Sequence, residues 1–249
     1  MSKARTKTNR EIAIILPTYC EAENIADIIH TIENLKLNST LMVIDDSSPD
    51  GTQNIVRKLQ QDYQNIFLLN RPRKMGLGTA IIDGFRFLIS LPKPPKYIIT
   101  MDADYSHNPH DIPKLLKLAK KGYDLVIGSR YCKQGKVKGW KLTRLLISRV
   151  ANKITRMLIK LPLNDFTSGF RCYSKEYIKK AIPKLHSETY EIQIETIRQA
   201  KLQNSKIREI PIVFENRKKG KSKLTLTEIA AFSTYILKVL LEQLFERKN

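Results

Sequence analysis

The chain has 249 residues, of which 42% are hydrophobic and 27% charged, a composition typical of a water-soluble globular protein with one large domain or two small ones. No long uninterrupted apolar run is present, and the basic start MSKARTKTNR is not followed by the hydrophobic region of a signal peptide, so the sequence predicts neither a membrane-spanning helix nor a signal peptide. The net charge of +20 favours anionic partners, such as phosphorylated metabolites, nucleic acid or an acidic membrane surface, unless it only keeps the protein soluble.

Short apolar runs alternate with amphipathic stretches over the first half of the chain. The runs predict buried strands at 11–17, 41–46, 65–70, 96–102 and 124–130. The amphipathic stretches predict helices at 21–36, 52–62, 77–90 and 109–121. This alternation indicates an α/β fold with a mostly parallel sheet and helices on both faces. Ligands of such sheets bind at the carboxyl ends of the strands.

The pattern changes at about residue 140. The further predicted elements are a long basic amphipathic helix over 139–162, a loop at 164–176, a helix near 188–203, a strand at 206–214, a basic loop at 215–224 and a helical stretch to about 246. We therefore predict three parts: a basic tail at 1–10, one α/β domain at 11–224 and a C-terminal amphipathic helical segment at 225–249.

The three cysteines, Cys20, Cys132 and Cys172, are odd in number and widely spaced. Their spacing matches neither a disulfide framework nor a zinc site. This usage favours a reducing, cytosolic compartment.

Two carboxylates, Asp102 and Asp104, lie one residue apart directly after the apolar run YIIT. Like charges at the end of a buried strand repel each other, so the pair needs a positive partner. A divalent cation would stabilise both anions, and oxygen-only ligands favour Mg²⁺ or Mn²⁺ over zinc. Because Mg²⁺ often takes further ligands from substrate phosphates, the pair predicts a nucleoside diphosphate held through a metal. The alternative is that one Asp caps the helix starting near Pro109 and the other is solvated.

Other strand ends carry weaker signals. Asp45 or Asp46 could accept hydrogen bonds from a base or a ribose hydroxyl, although the segment SPDG is ordinary turn chemistry. Gly76 and Gly78 open a predicted helix beside basic residues, which suits either a phosphate-bearing ligand or simple helix–sheet packing. Arg130 follows a strand and presents a guanidinium suited to phosphate.

The long helix and the basic loop are also open to two interpretations. On the helix, Arg144, Ser148 and Thr155 share a polar stripe opposite a broad apolar side. A basic edge runs along it through Arg149, Lys153, Arg156 and Lys160. The helix therefore either lies on a membrane surface or packs on the core with a solvated basic rim. The segment 217–223 either closes over a pyrophosphate or is a solvated run of charge.

The order of these segments is more specific than any one of them. The segments LPTYCEAENI, IDDSSPDGT, RPRKMGLGTA, MDADYSHNP, GSRY, DFTSGFR and IPIVFENRKKGKSKL follow one another between residues 14 and 224. This series resembles family 2 inverting glycosyltransferases of the dolichyl-phosphate mannose synthase type. The resemblance implies the Rossmann-like, nucleotide-sugar-binding fold called GT-A for the domain at 11–224.

The resemblance also implies roles for individual residues. Asp102, Ala103 and Asp104 would hold the sugar diphosphate, with Asp104 on the metal. Ser106 occupies a position where some relatives have a metal-ligating Gln, which makes it a third candidate ligand beside the two carboxylates. The residues that would contact the nucleotide are Pro17, Tyr19, Glu21, Ile44 and Asp46. The residues that would grip the acceptor phosphate, and with Asp104 form the catalytic set, are Arg130, Arg144 and Ser148. The residues that would reach the donor pyrophosphate from a mobile loop are Arg217 and Lys223.

The implied reaction is transfer of mannose from GDP-mannose to a polyprenyl or dolichyl phosphate, with Mg²⁺ or Mn²⁺ as cofactor. The acceptor is already anionic, so positioning and desolvation matter more than a general base. His107, the only candidate base near the acidic pair, is expected to lie behind the site or to face solvent.

The expected location is the cytoplasmic face of a membrane, with the amphipathic helices on the leaflet and a small membrane protein as a further candidate partner. UDP-glucose is the alternative donor. A basic nucleic-acid-binding module would tolerate loss of the acidic pair, and the scattered aromatic residues do not favour it. A metal-dependent phosphohydrolase would need more acidic or His ligands.

Overall fold

The structure, a computed structural model, describes residues 10–217 and 226–246, without the side chains of 226–230 and 243–246. The strands are β1 (Ile12–Thr18), β2 (Ser39–Asp45), β3 (Ile66–Asn70), β4 (Tyr97–Thr100), β5 (Leu125–Ser129), β6 (Lys136–Lys138), β7 (Arg171–Ser174), β8 (Ile207–Pro211) and β9 (Val213–Glu215). The α-helices are α1 (Ile25–Asn34), α2 (Thr52–Asp62), α3 (Leu77–Ser90), α4 (Ile112–Ala119), α5 (Leu142–Ile159), α6 (Lys175–Ala181), α7 (Ile192–Leu202) and α8 (Leu226–Glu246). Short 3-10 turns occur at Pro109–Asp111 and Ile182–Lys184.

Seven strands form a central sheet in the order β3-β2-β1-β4-β7-β5-β8. β1 pairs in parallel with β2 and β4, β2 pairs in parallel with β3, and β5 pairs in parallel with β8. The chain runs outwards from β1 to β3 and then returns to β4 on the other side of β1. This reversal creates the crevice in which such sheets bind ligands. The predicted α/β fold with a mostly parallel sheet is confirmed.

Helices cover both faces of the sheet because their apolar residues recur at helical spacing. Helices α1, α2 and α4 pack on one face, and α3, α6 and α7 pack on the other. In α1 the spacing places Ile25, Ile28, Ile29 and Ile32 on one stripe, and each is at most 1% exposed. Burying one such side chain stabilises the fold by about 1.5–3 kcal/mol. The stripe therefore fixes the helix on the sheet.

The prediction of a continuous loop at 164–176 is wrong. β7 occupies part of this segment and runs antiparallel between β4 and β5. It is only four residues long and begins with Arg171, whose side chain is fully buried, so it lacks the apolar run by which a central strand is recognised. β6 was also not predicted, and it pairs in parallel with β9 outside the main sheet.

Helix α5, unlike α1, directs most of its apolar side chains away from the protein. Its buried residues are Asn152, Thr155 and Ile159, so the polar stripe predicted for this helix faces the protein. The exposed apolar residues of α5 are Leu142, Leu146, Ile147, Val150, Ile154 and Met157, with Leu142 83% exposed. The core-packed interpretation of this helix is therefore wrong for most of its apolar side.

The predicted C-terminal helix is confirmed as α8. Ile236 and Val239 are buried and belong to the same apolar cluster as residues of α3 and α7, whereas Leu237, Leu240 and Leu241 are exposed. Within residues 10–217 and 226–246, no helix combines the length and the apolarity needed to cross a bilayer.

Candidate active site

The residues predicted to bind substrate gather at the carboxyl ends of β1, β2 and β4. Glu21 follows β1, Asp46 follows β2, and Asp102 and Asp104 follow β4. Because β1 and β4 are neighbours in the sheet, these ends meet at the reversal of strand order. Segment 164–170, which leads into β7, and Arg217, which follows β9, complete the candidate site.

Asp102 is held from behind by His107. The backbone N–H of Asp102 donates to Nδ1 of His107 at 3.1 Å, and the same nitrogen lies 3.6 Å from the Asp102 carboxylate. Although 39% of the Asp102 side-chain surface is accessible, burial of its carboxylate among protein atoms raises its pKa. Burial lowers the pKa of His107, which is 1% exposed and stacks on Phe170. The solvent-facing alternative for His107 is wrong, and the position behind the site is confirmed.

Asp104 is the better-partnered of the two carboxylates. Its Oδ1 accepts hydrogen bonds from the backbone N–H and the hydroxyl of Ser106, and its Oδ2 lies 2.9 Å from the guanidinium of Arg217. Arg217 also lies 3.8 Å from Glu21. Neither Asp102 nor Asp104 caps the turn before α4, because the Asn108 side chain does so. The helix-cap alternative is wrong, and the Arg217 guanidinium pairs with Asp104.

Arg130 is oriented by a buried carboxylate on the segment before β7. Its Nε and Nη2 each donate to Asp165 at 2.7 Å, and Nη2 also donates to Thr167 at 2.6 Å. Burial lowers the pKa of Arg130, but the charge and the hydrogen bonds of Asp165, with smaller contributions from Tyr131 and Asp102, together outweigh it and the pKa is raised. Tyr131 donates its hydroxyl hydrogen to Ser148 at 2.7 Å. The rings that face the Arg130 guanidinium are Tyr131, Trp140 and Phe214.

Arg144 is the least satisfied cation of the site. Its guanidinium lies 4.1 Å from the centre of the Trp140 ring, and its Nε is buried without a hydrogen-bond partner among the described residues. Burial, followed by the charges of Arg217 and Arg130, lowers the pKa of Arg144. Three guanidinium groups therefore repel one another beside the acidic pair, and this arrangement favours an anion between them.

The acidic end of β2 is engaged within the protein. The Asp46 carboxylate accepts from the guanidinium of Arg71 and from the backbone N–H groups of Met75 and Gly76, at 2.9 and 3.1 Å. The donors to Asp45 are the Thr18 and Ser48 hydroxyls, the Ser48 backbone N–H and the Gln53 amide. Both carboxylates thus hold the loops around them, and the contact of Asp46 with a nucleoside stays a prediction.

Gly76 and Gly78 allow close approach of another loop. A Cβ on Gly78 would lie 2.3 Å from the backbone oxygen of Ser187, and one on Gly76 would lie 2.4 Å from that of Glu188. The backbone N–H groups of Gly78 and Thr79 donate to Glu188. These contacts favour packing over phosphate binding as the reason for the two glycines, and the start of α3 packs on the 187–188 loop and not on the sheet. The start of α3 is closed by protein and does not offer these N–H groups to a phosphate.

The remaining predicted residues lie around the same strand ends. Pro17 is half-buried in β1, and the Tyr19 ring lies 4.7 Å from the ammonium of Lys74. Ile44 and Ala103 are buried with the core, which leaves mainly their backbone atoms for contact with a ligand. Lys223 lies outside the described residues. The structure thus groups most predicted positions but tests none of their assigned roles.

Sequence reasoning missed the residues that orient the site. Asp165 positions Arg130, and the fully buried Arg171 ties the same segment to α7. Both lie in the motif DFTSGFR, so the motif itself was visible but the individual roles were not. Arg71, which neutralises Asp46, carried no signal beyond its place in a basic segment.

The comparisons with known proteins agree with this architecture. The family model described as glycosyl transferase family 2 matches residues 13–182. The chain belongs to glycosyl transferase family 2. The predicted family and the prediction that the protein is a glycosyltransferase are confirmed.

Two curated relatives cover most of the chain. Polyprenol monophosphomannose synthase of Mycolicibacterium smegmatis is 33% identical over 91% of this chain and 85% of its own length. Undecaprenyl-phosphate mannosyltransferase of Micrococcus luteus is 34% identical over 86% of this chain and 87% of its own length.

A solved structure supports the fold. Glucosyl-3-phosphoglycerate synthase from Mycobacterium tuberculosis, crystallised with Mn²⁺, uridine diphosphate and glucosyl-3-phosphoglycerate, superposes with a TM-score of 0.65. The match covers 95% of this chain and 81% of that one, at 18% identity. At this identity the likeness concerns the fold alone, and it confirms the GT-A-like expectation.

Proposed function

We propose that the protein transfers mannose, with inversion, from GDP-mannose to the phosphate of dolichol or another polyprenol. The observation that carries the proposal is the convergence of Arg130, Arg144 and Arg217 beside Asp102 and Asp104. Mutually repelling cations at a strand end favour phosphate groups, and both proposed substrates carry them. The names of the two curated relatives support the mannosyl group and the polyprenyl phosphate.

A divalent cation, Mg²⁺ or Mn²⁺, fits the donor set. Asp102 and Asp104 offer carboxylate oxygens only, and no three His, Cys, Asp or Glu side chains come together among the described residues to form a closed site. Such a cation would take its other ligands from the donor diphosphate and would stabilise the negative charge on the departing nucleotide. The Ser106 hydroxyl donates to Asp104, so we assign it the orientation of that carboxylate. Direct ligation by Ser106 stays a prediction.

The protein's own residues would act by position and charge. An oxygen of the acceptor phosphate forms a bond to the anomeric carbon while the bond from that carbon to the diphosphate oxygen breaks, and the electron pair leaves with the nucleoside diphosphate. Arg130 and Arg144 would hold the acceptor phosphate, and Arg217 would stabilise the diphosphate. No proton needs to be removed. This agrees with His107, whose lowered pKa keeps it neutral and whose Nδ1 accepts from the backbone.

Helix α5 is the proposed contact with the membrane that holds the acceptor. Its outward apolar side is bordered by Arg149, Lys153 and Arg156, and residues 141–160 contain no acidic residue. An exposed apolar face with a basic border suits the interface of an anionic leaflet. The test is sedimentation with vesicles of neutral or partly anionic lipid. We expect binding that requires anionic lipid and is lost in Leu146→Glu, with Leu202→Glu, also at an exposed leucine, as the control. Equal binding by both variants would contradict this contact.

The transfer is tested with radiolabelled GDP-mannose and a polyprenyl phosphate in detergent. Reactions contain Mg²⁺, Mn²⁺ or EDTA, and UDP-glucose serves as the competing donor. The proposal expects labelled lipid from GDP-mannose with a cation and none with EDTA. Labelling only from UDP-glucose would replace the sugar and keep the reaction type. Absence of product from both donors with a folded protein, both in detergent and with the acceptor in anionic vesicles, would refute the proposal.

A further inference from the structure

Gln193 carries an unexplained polar group at the edge of the candidate site. The residue is 2% exposed, yet neither Nε2 nor Oε1 of its side chain has a hydrogen-bond partner among the described residues. A side-chain amide carries two donor hydrogens and an acceptor oxygen. Burying such groups unpaired is unfavourable, so each one in a native protein calls for a physical explanation.

The backbone at Gln193 is fixed in place. The fully buried Arg171 donates to the carbonyl oxygen of Gln193 at 2.6 Å and to those of Ser168 and Phe166 at 2.7 and 2.9 Å. These bonds tie the first turn of α7 to the segment before β7. A shift of the helix that exposed the amide would therefore break the hydrogen bonds of the buried Arg171 to Gln193 and Thr196.

The Gln193 amide lies close to Asp102, one carboxylate of the acidic pair, across Gly169. A Cβ on Gly169 would lie 3.5 Å from Nε2 of Gln193, 3.5 Å from Oδ1 of Asp102 and 3.8 Å from Cε1 of His107. The three side chains thus surround the position of that Cβ at van der Waals distance, so the glycine at 169 leaves a small gap between them. The hydroxyl of Thr100 fixes that glycine by donating to its carbonyl at 2.8 Å.

The chemistry of this gap selects the kind of group that fits it. A phosphate offers acceptors only, and beside Asp102 it would leave the amide oxygen unpaired. A sugar hydroxyl both donates and accepts, so neighbouring hydroxyls can satisfy the two ends of an amide and also donate to a carboxylate. We propose that Gln193 binds hydroxyl groups of the hexose carried by the donor nucleotide. This inference rests on the proposed function and adds a residue that recognises the sugar and not the nucleotide.

The test compares two ligands that differ only in the sugar. Titration calorimetry measures GDP-mannose and GDP, each with Mg²⁺, on the wild type and on Gln193→Met, which keeps the length but removes the polar atoms. We expect the affinity for GDP-mannose to fall about tenfold while that for GDP changes less than about twofold. The melting temperature should stay the same or rise, since a buried unpaired amide is removed. If UDP-glucose is the donor, the same comparison uses UDP-glucose and UDP.

The control is Gln199→Met, which replaces another buried amide further along α7 and should leave both affinities unchanged. If Gln193→Met does not fold, Gln193→Asn withdraws the amide by one carbon and should give the same selective loss. An unchanged affinity for the sugar nucleotide, or an equal loss for GDP, would overturn the inference alone. If the wild type binds neither sugar nucleotide, the proposed function fails, and the inference fails with it.

Discussion

The ends of β2 and β4 carry the same sequence signal and have opposite environments. Each strand ends in two closely spaced carboxylates. At β2, the carboxylate of Asp46 is neutralised by Arg71, which is 3% exposed, and is further bound by backbone N–H groups. At β4, the neutral His107 lies beside Asp102, and Asp104 faces Arg217, the last described residue before segment 218–225.

We expect this difference to separate a carboxylate that holds the fold from one that binds a ligand. A carboxylate neutralised by a buried guanidinium and bound by backbone N–H groups, such as Asp46, stabilises the fold. A carboxylate with a raised pKa is held in a place that disfavours its charge, so it gains most from a ligand that brings positive charge. Four predictions follow from the comparison, in order of decreasing effect.

The largest effect is expected for the stability of Asp46→Asn. This change leaves the Arg71 guanidinium buried without its main counter-ion, so we expect the free energy of unfolding to fall by about 3–5 kcal/mol. Urea denaturation measures it. Asp62→Asn, at an exposed end of α2, is the control and should change stability by no more than about 0.5 kcal/mol. A loss below about 1 kcal/mol at Asp46 would mean that the β2 carboxylate is not structural.

For Asp104→Asn we expect a large loss of activity and a smaller loss of stability. Removing this charge should reduce transfer from GDP-mannose by about 100-fold to 1000-fold, the size expected for loss of one group that stabilises the transition state. Stability should fall by less than in Asp46→Asn, because loss of this charge also relieves its repulsion of Asp102, and Arg217 keeps Glu21 at 3.8 Å. Rates measured with radiolabelled donor, alongside urea denaturation, test both parts. Loss of stability as large as that of Asp46→Asn would remove the contrast between the two strand ends.

The sequence predicted the strands and the positions of the site but not which carboxylates are satisfied. Alternation of apolar runs and amphipathic helices located β1 to β5, since this pattern depends on local periodicity. The pairing of Asp46 with Arg71, or of Arg130 with Asp165, depends on segments 25 and 35 residues apart, and local patterns do not report such contacts. The four-residue β7 was missed for the same reason, because the sheet around it supplies its stability.

Helix α5 gives a second example of what hydrophobic spacing does not predict. The spacing of its apolar residues correctly predicts an amphipathic helix, but spacing alone does not tell which side meets the protein. Polar Asn152 and Thr155 face inward here because Asn152 binds the segment before β7, where its Oδ1 accepts from Phe166 at 2.6 Å. The orientation follows from a tertiary hydrogen bond and was not readable from composition.

A smaller effect on stability is expected at the start of α3, where the 187–188 loop packs against Gly78. Gly78→Ala places a Cβ against the backbone oxygen of Ser187, and we expect a loss of about 1–3 kcal/mol in the free energy of unfolding. Gly51→Ala is the matched control: its φ is +88° but nothing lies within 4 Å of the new Cβ, so only backbone strain of about 1 kcal/mol is expected. Equal losses in thermal or urea unfolding would show that close packing against the 187–188 loop is not what requires Gly78.

The smallest effect concerns the pH dependence of stability at β4. Because burial raises the pKa of Asp102, the folded state keeps a proton that the unfolded state releases at lower pH. The stability that Asp102 contributes is therefore present at low pH, where it is protonated, and is lost as the pH rises from its pKa in the unfolded state through its pKa in the folded state. Asp102→Asn has no such proton, so the difference in unfolding free energy between variant and wild type should grow from pH 4 towards neutrality. Subtracting the two stability curves removes the contribution of the other carboxylates that titrate over the same pH range.

Adding Mg²⁺ should diminish the difference in unfolding free energy between Asp102→Asn and the wild type, since a cation stabilises the charged form of Asp102 and a neutral Asn gains less from it. If instead this free-energy difference shrinks with rising pH in EDTA, the charged form of Asp102 is stabilised by the protein, as that of Asp46 is at β2.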